Sequence, residues 1–316
     1  MIIATHSGTF HADDIWAVTV LDLVFPGCEL LRTRDPEQIR QADFAVDVGG
    51  LWDPLTGRFD HHQKGFAGAR SSGVVYASAG LVWKEYGARC VALIAKAHAG
   101  NEISADLARK IAWAIDGDLV QYLDMSDTGV AKNAPGGYGL SAIISGFNLT
   151  WLDEQMSGSV AATENLRLRQ FRRAMEFMTD ILINAVKYRI GSVLAVEQVR
   201  QAEVLEEGRL LFLKNSALPW SSVVRNEMPK VLFVIGHNTT DQRYMLYTVS
   251  VTTDSFEARK DLPAVWAGLQ AEELAAVTGV PDAIFCHNGR FIAAAKSFGG
   301  VLRMARLALE DGTQPE

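Results

Sequence analysis

The sequence predicts an α/β protein, with a doubly wound, mostly parallel sheet in its N-terminal domain and a second, α+β domain after it. Its first 48 residues alternate strand-like and helix-like runs in the order β-α-β-α-β, which favours parallel strands joined by crossover helices. Beyond a loop-like stretch around residues 130–150, strand and helix patterns follow one another without that regular alternation. We therefore expect two domains, residues 1–145 and 146–316.

Composition limits the functions that the chain can serve. A length of 316 residues is enough for two cores, and 48% hydrophobic with 21% charged residues is ordinary for a globular protein. The net charge of −7 argues against a broad basic surface, so a nucleic acid would have to bind in a local groove. Three widely spaced cysteines give no CxxC metal site and fit a reducing compartment. The start of the chain lacks a signal-peptide pattern, so we expect a cytoplasmic protein without a membrane partner.

The first predicted strand is Ile2–Thr5, and it ends at His6. The helix that follows carries an apolar face and begins with the acidic pair Asp13-Asp14 in its first turn, where carboxylates interact favourably with the helix dipole. Asp14 is as well explained by capping as by metal binding, whereas Asp13, two positions after His11, is favoured as a ligand.

The next units complete the β-α-β-α-β pattern. A strand is predicted at Glu29–Thr33, followed by a helix with Asp35 as its N-cap and Pro36 in its first position. Phe44–Val48 is almost wholly apolar, as a buried parallel strand should be.

Later helices are predicted from caps and periodicity. Ser71-Ser72 can cap a helix that stops at Gly87, and further helical regions cover about 104–123 and 163–189. The basic cluster of the last region is typical of a solvated face. Strands are predicted at 231–235, 244–249 and 283–286.

The segment Arg58-Phe59-Asp60-His61-His62-Gln63 is the most informative stretch of the chain. In an extended strand Asp60 and His62 would share one face and His61 the other, unless the strand ends and bends there. A lone His-His pair is more often a surface or core feature than a site. However, four of the seven histidines fall in the first 62 residues, and three of them, His11, His61 and His62, lie within two positions of an Asp or another His.

Topology predicts that these segments meet. In doubly wound sheets, ligands bind at the carboxyl ends of the strands, where His6, Asp47 and the Asp60-His61-His62 group would all lie. Neutral imidazole and carboxylate together form the first shell of borderline divalent metals. Asp124 and Asp127 precede the turn at Gly129 and compete for one further position in the site.

The chain resembles the MYG1 family, a branch of the DHH phosphoesterase superfamily. The resemblance extends over essentially the whole chain and rests on ordered motifs: His6-Ser-Gly-Thr-Phe-His11-Ala-Asp13-Asp14, Asp47-Val-Gly-Gly, Phe59-Asp60-His61-His62-Gln63, Asp124-Met-Ser-Asp127-Thr-Gly129, Leu262-Pro-Ala-Val-Trp266 and Val280-Pro-Asp-Ala-Ile-Phe-Cys-His287. The superfamily implies a DHH-like first domain and a two-metal phosphoester hydrolase dependent on Mn or Mg. The family implies a 3′-to-5′ RNA exonuclease.

The residues agree with that implication. A two-metal site needs a carboxylate that bridges both ions, and Asp47 is our candidate. His6 and His11 would complete the coordination of one ion. Asp13, His61 and Asp127 would complete the coordination of the other. Mixed nitrogen and oxygen ligands suit Mn²⁺, with Mg²⁺ as the other choice. The expected metal ligands are thus His6, His11, Asp13, Asp47, His61 and Asp127, with Asp124 competing with Asp127.

Catalytic and substrate-binding functions are assigned to other residues. His62 is expected to contact the scissile phosphate or to protonate the leaving oxygen, and Asp60 to orient an imidazole. The second domain would contribute cations or hydrogen-bond donors for the substrate phosphate. The expected substrate-binding residues there are Arg259, His287, Arg290 and Lys296, each of which is equally well explained as an ordinary surface residue.

Three functions remain open from the sequence. The chain is expected to be an RNA exonuclease, a phosphoesterase or pyrophosphatase for small nucleotides, or a non-catalytic metal-binding regulatory protein. The retained ligand types disfavour the third function. The expected partner is an RNA or a short oligonucleotide, and a homo-oligomer is compatible with the sequence.

Overall fold

The computed structural model describes residues 1–100, 102–130, 139–253, 255 and 257–312. Its contacts divide the chain into two compact units, Met1–Ile190 and Gly191–Glu316. The division differs from the one expected after residue 145. The reason is that a long helix, Val160–Arg200, contributes buried side chains such as Phe171, Met178 and Leu182 to the first core. Residues 131–138, part of the loop expected to separate the domains, lie outside the described residues.

The first unit contains a five-stranded sheet and most of the helices. In chain order its elements are β1 (Ile2–Thr5), α1 (Ala12–Val24), β2 (Glu29–Arg32), α2 (Pro36–Gln41), β3 (Phe44–Val46), β4 (Trp52–Asp53), β5 (Arg58–Phe59), α3 (Ser78–His98), α4 (Ala105–Ile115), α5 (Gln121–Asp127), α6 (Leu140–Ser145), α7 (Trp151–Met156) and α8 (Val160–Arg200). The strand order is β2-β1-β3-β5-β4, with every pair parallel except β4 and β5. The predicted doubly wound, mostly parallel sheet is confirmed.

The two faces of this sheet are covered unequally. On β3, Phe44 and Val46 face the large core that includes α1 and α3, whereas Ala45 belongs to a small cluster with Ile39 of α2 and Val48. Successive strand residues point to opposite faces, so α1 and α2 lie on opposite sides of the sheet. The carboxyl ends of β1 and β3 form the crevice between these two crossovers, which is where such folds bind ligands.

Two of the predicted helix boundaries are wrong. Helix α3 begins at Ser78, not at Ser71-Ser72, and it continues past Gly87 to His98. Gly87 is inside the helix because the residues after it still bury an apolar face, including Val91 and Ile94. A Cβ at Gly87 would lie 2.8 Å from the indole of Trp83, so close packing explains this glycine better than a helix stop does.

The second unit contains a six-stranded, mainly antiparallel sheet. Its elements are β6 (Glu203–Leu205), β7 (Leu210–Leu213), α9 (Ser221–Glu227), β8 (Phe233–Asn238), β9 (Arg243–Thr248), α10 (Ala271–Thr278), β10 (Ala283–Cys286), β11 (Ile292–Ala295) and α11 (Phe298–Glu310). The strand order is β10-β11-β9-β8-β7-β6, and only β7 and β8 run parallel. Helix α11 packs its buried face on this sheet. The predicted α+β character of the second half is confirmed.

Within the described part of the chain, we find no helix with both the length and the apolar character that crossing a bilayer requires.

Candidate metal centre

The pairing of β1 with β3 brings the first two predicted ligands together. Thr5 is opposite Val46 in this parallel pair of strands, so His6 and Asp47 are the residues that directly follow the two strand ends. Both are nearly inaccessible, with 3% and 6% of their surface exposed. Asp47 Oδ2 lies 3.3 Å from His6 Nε2. Polar side chains are rarely buried so deeply unless they are partnered or bind an ion.

Asp47 contacts imidazoles through both of its carboxylate oxygens. While Oδ2 faces His6, Oδ1 lies 3.4 Å from His61 Nε2 and 3.3 Å from His62 Nδ1. The hydroxyl of Ser78, at the start of α3, donates a hydrogen bond to the same Oδ1 at 3.3 Å. The backbone of Asp47 has φ +55°, a left-handed conformation that non-glycine residues adopt rarely and that is often found at functional sites.

The start of α1 contributes three more side chains. His11 precedes the helix, and its backbone N–H donates to Asp14 Oδ1 at 2.8 Å. The other oxygen of Asp14 lies 3.3 Å from His6 Nε2. Asp14 therefore both caps the helix and borders the cluster. Asp13 is 1% exposed. A carboxylate oxygen of Asp13, a ring nitrogen of His11 and a carboxylate oxygen of Asp127 all lie within 4.8 Å of one another.

The Asp60-His61-His62 segment bends, so all three side chains converge. Strand β5 ends at Phe59, which frees both imidazoles to reach Asp47. Asp60 is 2% exposed; its Oδ1 contacts His62 Nδ1 at 2.8 Å, and its Oδ2 accepts from the Gly50 N–H at 2.6 Å. Asp60 thus orients the His62 ring, which remains 61% exposed.

Asp127 and Asp124 have different surroundings. Asp127, the last residue of α5, lies 3.1 Å from His61 Nε2 and 3.8 Å from His11 Nδ1. Asp124 is fully buried one turn earlier, where it pairs with Arg70 Nη1 at 2.7 Å and accepts from the Gly80 N–H at 2.9 Å. The geometry brings Asp127 to the cluster and gives Asp124 a different set of partners.

The electrostatics of the cluster are those of a site that needs added positive charge. Burial, followed by the charges of Asp47 and Asp127, raises the pKa of Asp13 well above its usual value. Burial also raises the pKa of Asp14 to about 7, against the opposing charge of His6. Burial alone would lower the pKa of His61, but its contacts with Asp127 and Asp47 raise that pKa to about 10.

Asp47 is shifted in the other direction. Burial alone would raise its pKa, but contacts with His6 and His61 outweigh burial and lower it below the usual range. Several buried atoms of the cluster have no well-directed hydrogen-bond partner among the described residues: both oxygens of Asp13, Oδ2 of Asp14, and Nε2 of His6 and of His61. Such orphaned atoms are the donors that a bound cation would satisfy.

The side chains fit divalent metal ions. Three groups of potential ligands have all their donor atoms within 4.8 Å of one another: His6, His11 and Asp47; Asp47, His61 and His62; and His11, Asp13 and Asp127. Asp47 and His11 each belong to two of these groups. This overlap suits neighbouring ions that share ligands, and the mixed imidazole and carboxylate set suits Mn²⁺ or a similar ion.

Sequence reasoning missed three residues around this site. Ser78 contacts Asp47, and Arg34 places Nη2 3.2 Å from His6 Nδ1. Arg70 forms a bidentate pair with Asp116, at 2.7 and 2.6 Å, in addition to its contact with Asp124. No local pattern marks Ser78 or Arg34, because each reaches the site only through packing of the folded chain.

The four predicted substrate-binding residues all belong to the second unit. The Arg259 guanidinium donates to backbone carbonyls at and just beyond the end of α9, including those of Arg225 and Met228, each at 2.8 Å. These contacts do not test whether Arg259 binds the substrate phosphate, which stays a prediction.

Arg290 has a carboxylate partner of its own. It pairs with Asp261 at 2.7 Å, whereas His287 and Lys296 are exposed. None of these observations tests whether the three residues bind substrate, which stays a prediction.

Fold and site together define the class of protein. It is an α/β protein with a His/Asp cluster at the carboxyl ends of the parallel strands β1 and β3, and the ligand types of this cluster suit divalent cations. The model of the uncharacterised protein family UPF0160 (MYG1_exonuc) matches residues 2–309. The chain belongs to this MYG1 family, as the sequence motifs predicted.

Individual relatives agree with the family model. A MYG1 exonuclease of Rattus norvegicus is 30% identical over 99% of this chain and 86% of its own length, and a MYG1 protein of Saccharomyces cerevisiae is 30% identical over 97% and 95%. The crystal structure of RecJ in complex with Mn²⁺ from Thermus thermophilus aligns with 100% of this chain and 52% of its own, at 13% identity and a TM-score of 0.29.

Proposed function

We propose that the protein is a metal-dependent phosphodiester hydrolase that removes nucleotides from RNA in the 3′-to-5′ direction and uses two divalent ions, Mn²⁺ or Mg²⁺. The observation that carries this proposal is the position of Asp47, whose two carboxylate oxygens face different imidazoles in two overlapping ligand groups. The names of the mammalian relatives, MYG1 exonuclease, support the nuclease assignment.

The residues of the cluster would have distinct functions. His6, His11 and Asp47 would hold one ion; Asp13, His61 and Asp127, with Asp47, would hold the other. Divalent ions bound there would stabilise negative charge on the phosphate oxygens and lower the pKa of a water molecule, so that it could attack phosphorus as hydroxide. Asp60 fixes His62 through Nδ1 at 2.8 Å.

That contact leaves Nε2 of His62 as the nitrogen for proton transfer to the leaving oxygen. The 61% exposure of the His62 side chain is consistent with a ring that meets substrate.

A panel of substrates tests the proposal. Purified protein should be incubated with Mn²⁺ or Mg²⁺ and with short RNA, short DNA, pyrophosphate and cyclic dinucleotides. RNA oligomers labelled at the 5′ end should give a ladder that shortens one nucleotide at a time, and EDTA should abolish it. Oligomers blocked at the 3′ end should resist.

Other results would redirect the assignment. Turnover of pyrophosphate or cyclic dinucleotides without RNA cleavage would support a small-nucleotide phosphoesterase instead. Metal binding, measured by calorimetry, without turnover of any substrate would favour a non-catalytic metal-binding protein.

A further inference from the structure

A cleft beside α2 has the chemistry of a nucleotide-binding site. It has a volume of about 420 Å³ and is lined by Arg34, Pro36, Ile39, Arg40, Val48, Gly49, Leu51 and Arg58. We call it the α2 cleft. Its size falls in the range of small-molecule pockets, roughly 300–1,000 Å³. Three of its lining residues are arginines and none is acidic, although the whole chain carries a net charge of −7.

The α2 cleft adjoins the candidate metal centre. Arg34 lines one end of the cleft. Its Nη2 lies 3.2 Å from Nδ1 of His6, and its Nε donates to the carbonyl of Ser7 at 3.3 Å. Val48 and Gly49 directly follow Asp47 in the chain. A ligand in this cleft would therefore continue directly from a phosphate held at the metal centre.

The far end of the cleft has fixed positive charge. Arg58 donates to the carbonyls of Arg40 and Ala42 at 3.2 and 3.0 Å, which anchors its guanidinium at the end of α2. Arg40 is exposed and pairs with Glu37 on the same helix. The cations thus flank α2: Arg34 lies two residues before its first residue, and Arg40 and Arg58 lie at its end.

The floor between the cations is apolar. Ile39 and Val48 are buried against each other, whereas Leu51 is 49% exposed beside them. An apolar floor suits the face of a nucleobase or a ribose, and guanidinium groups suit phosphate oxygens and can also stack on bases.

Two other clefts of the first unit are less suitable. One, beside the C-terminal half of α1 and the start of β2, is lined by Asp22, Glu29 and Glu176 with a single arginine, so it would repel a phosphate. The other, beside Trp113, is only about 220 Å³, and the Arg109 that lines it is paired with Asp106. Neither has a contact with the metal-centre residues comparable to that of Arg34.

We propose that the α2 cleft binds the nucleotide adjacent to the scissile phosphate, so that the first unit itself supplies substrate affinity. This inference rests on the proposed function and names where its substrate is held. It also differs from the expectation that the substrate cations come from the second half of the chain. Arg34 would contact the phosphate next to the metal centre, and Arg40 the following phosphate.

Equilibrium binding tests this proposal without requiring turnover. The probe is a fluorescein-labelled uridine pentanucleotide, followed by fluorescence anisotropy at several salt concentrations. We expect Arg40→Glu and Leu51→Asp each to raise the Kd about tenfold, the loss expected for a charged contact or for a charge placed on the apolar floor. Arg40→Glu should also reduce the slope of log Kd against log salt by about one.

Arg109→Glu is the matched control. Arg109, like Arg40, is exposed and pairs with a carboxylate three residues earlier on its helix. We expect it to bind the oligonucleotide like the wild-type protein. Arg109→Glu should also hydrolyse bis(4-nitrophenyl) phosphate at the wild-type rate, and the Tm values of all three variants should confirm folding.

The outcomes separate the two proposals. Wild-type affinity in both α2-cleft variants, an equal loss in Arg109→Glu, or no binding by the wild-type protein would overturn the α2-cleft proposal. If the wild-type protein binds the oligonucleotide but hydrolyses no diester, the proposed function fails. The effect of the α2-cleft variants on binding would then still decide whether this cleft is the binding site.

Discussion

Asp47 and His6 face each other at the carboxyl ends of two adjacent parallel strands, with Oδ2 of Asp47 3.3 Å from Nε2 of His6. The contact follows directly from the strand register, since Thr5 is opposite Val46. Because Asp47 also reaches His61 and His62 through its other oxygen, this single carboxylate joins the strand end, the start of α1 and the histidine pair into one cluster.

Asp47→Asn should abolish metal binding and hydrolysis while leaving the fold intact. Asparagine has the shape of aspartate and tolerates the left-handed backbone at this position, but it removes the negative charge that two ions would share. Calorimetry with Mn²⁺ and a diester hydrolysis assay provide the measurements. Asp22→Asn, on the same unit in α1, is the control and should behave as wild type. Wild-type turnover by Asp47→Asn would refute the two-metal assignment.

Asp127→Asn should weaken metal binding, whereas Asp124→Asn should lower stability. Asp127 contacts His61 and His11, so its loss should weaken metal binding with little change in Tm. The Asp124 side chain is 0% exposed and pairs with Arg70, whose side chain is 7% exposed. Neutralising it should cost about 3 kcal/mol of stability, because the buried arginine loses a charged partner.

Thermal unfolding and metal titration of both variants give the comparison. If Asp124→Asn loses metal at unchanged Tm, the two residues must exchange their assignments. A Cβ added at Gly80 would overlap Asp124 Oδ2, so Gly80→Ala should reproduce the destabilisation expected for Asp124→Asn.

His61→Ala and His62→Ala should separate metal binding from proton transfer. The His61 ring is 10% exposed and lies between Asp47 and Asp127, so its removal should release metal. His62 is held by Asp60 and is largely exposed. We expect its removal to lower kcat by roughly 10²–10⁴-fold, the usual contribution of a general acid, with both ions retained. Calorimetry showing the reverse pattern would exchange the two functions.

Arg259→Lys tests the use that the structure gives this residue. Its guanidinium donates to the carbonyls of Arg225, Met228 and Val231. The ammonium group of lysine cannot reproduce this set of hydrogen bonds. We expect the free energy of unfolding to fall by roughly 1–3 kcal/mol, with KM unchanged. A raised KM at unchanged stability would instead restore the predicted contact with the substrate phosphate.

Much of the site could be predicted because its ligands follow recognisable local patterns. His6 and Asp47 each end a short apolar run, and the edge where parallel strands end is fixed by topology. The sequence left open whether His61 and His62 converge, since this depends on β5 stopping at Phe59. Whether Asp124 or Asp127 joins the cluster was undecidable, because the two differ by one helical turn and only the packing of α5 orients them.

Contacts between distant residues are beyond the reach of local reasoning. The carbonyls of Arg225 and Met228, to which Arg259 donates, could not be foreseen from its chemistry, and its contact with the substrate phosphate stays a prediction. In the same way, Gly87 looked like a helix stop, although close packing against Trp83 accounts for it.

The sequence by itself determined the family, the α/β class, the β-α-β-α-β order of the first elements and most residues of the His/Asp cluster, because apolar periodicity and chemically distinctive residues are local properties. The tertiary structure decided which side chains meet. The limit of the first compact unit, the separate partners of Asp124, and the arginines of the α2 cleft depend on contacts between residues distant in the chain. Such contacts are set by the packing of whole elements, which local patterns do not specify.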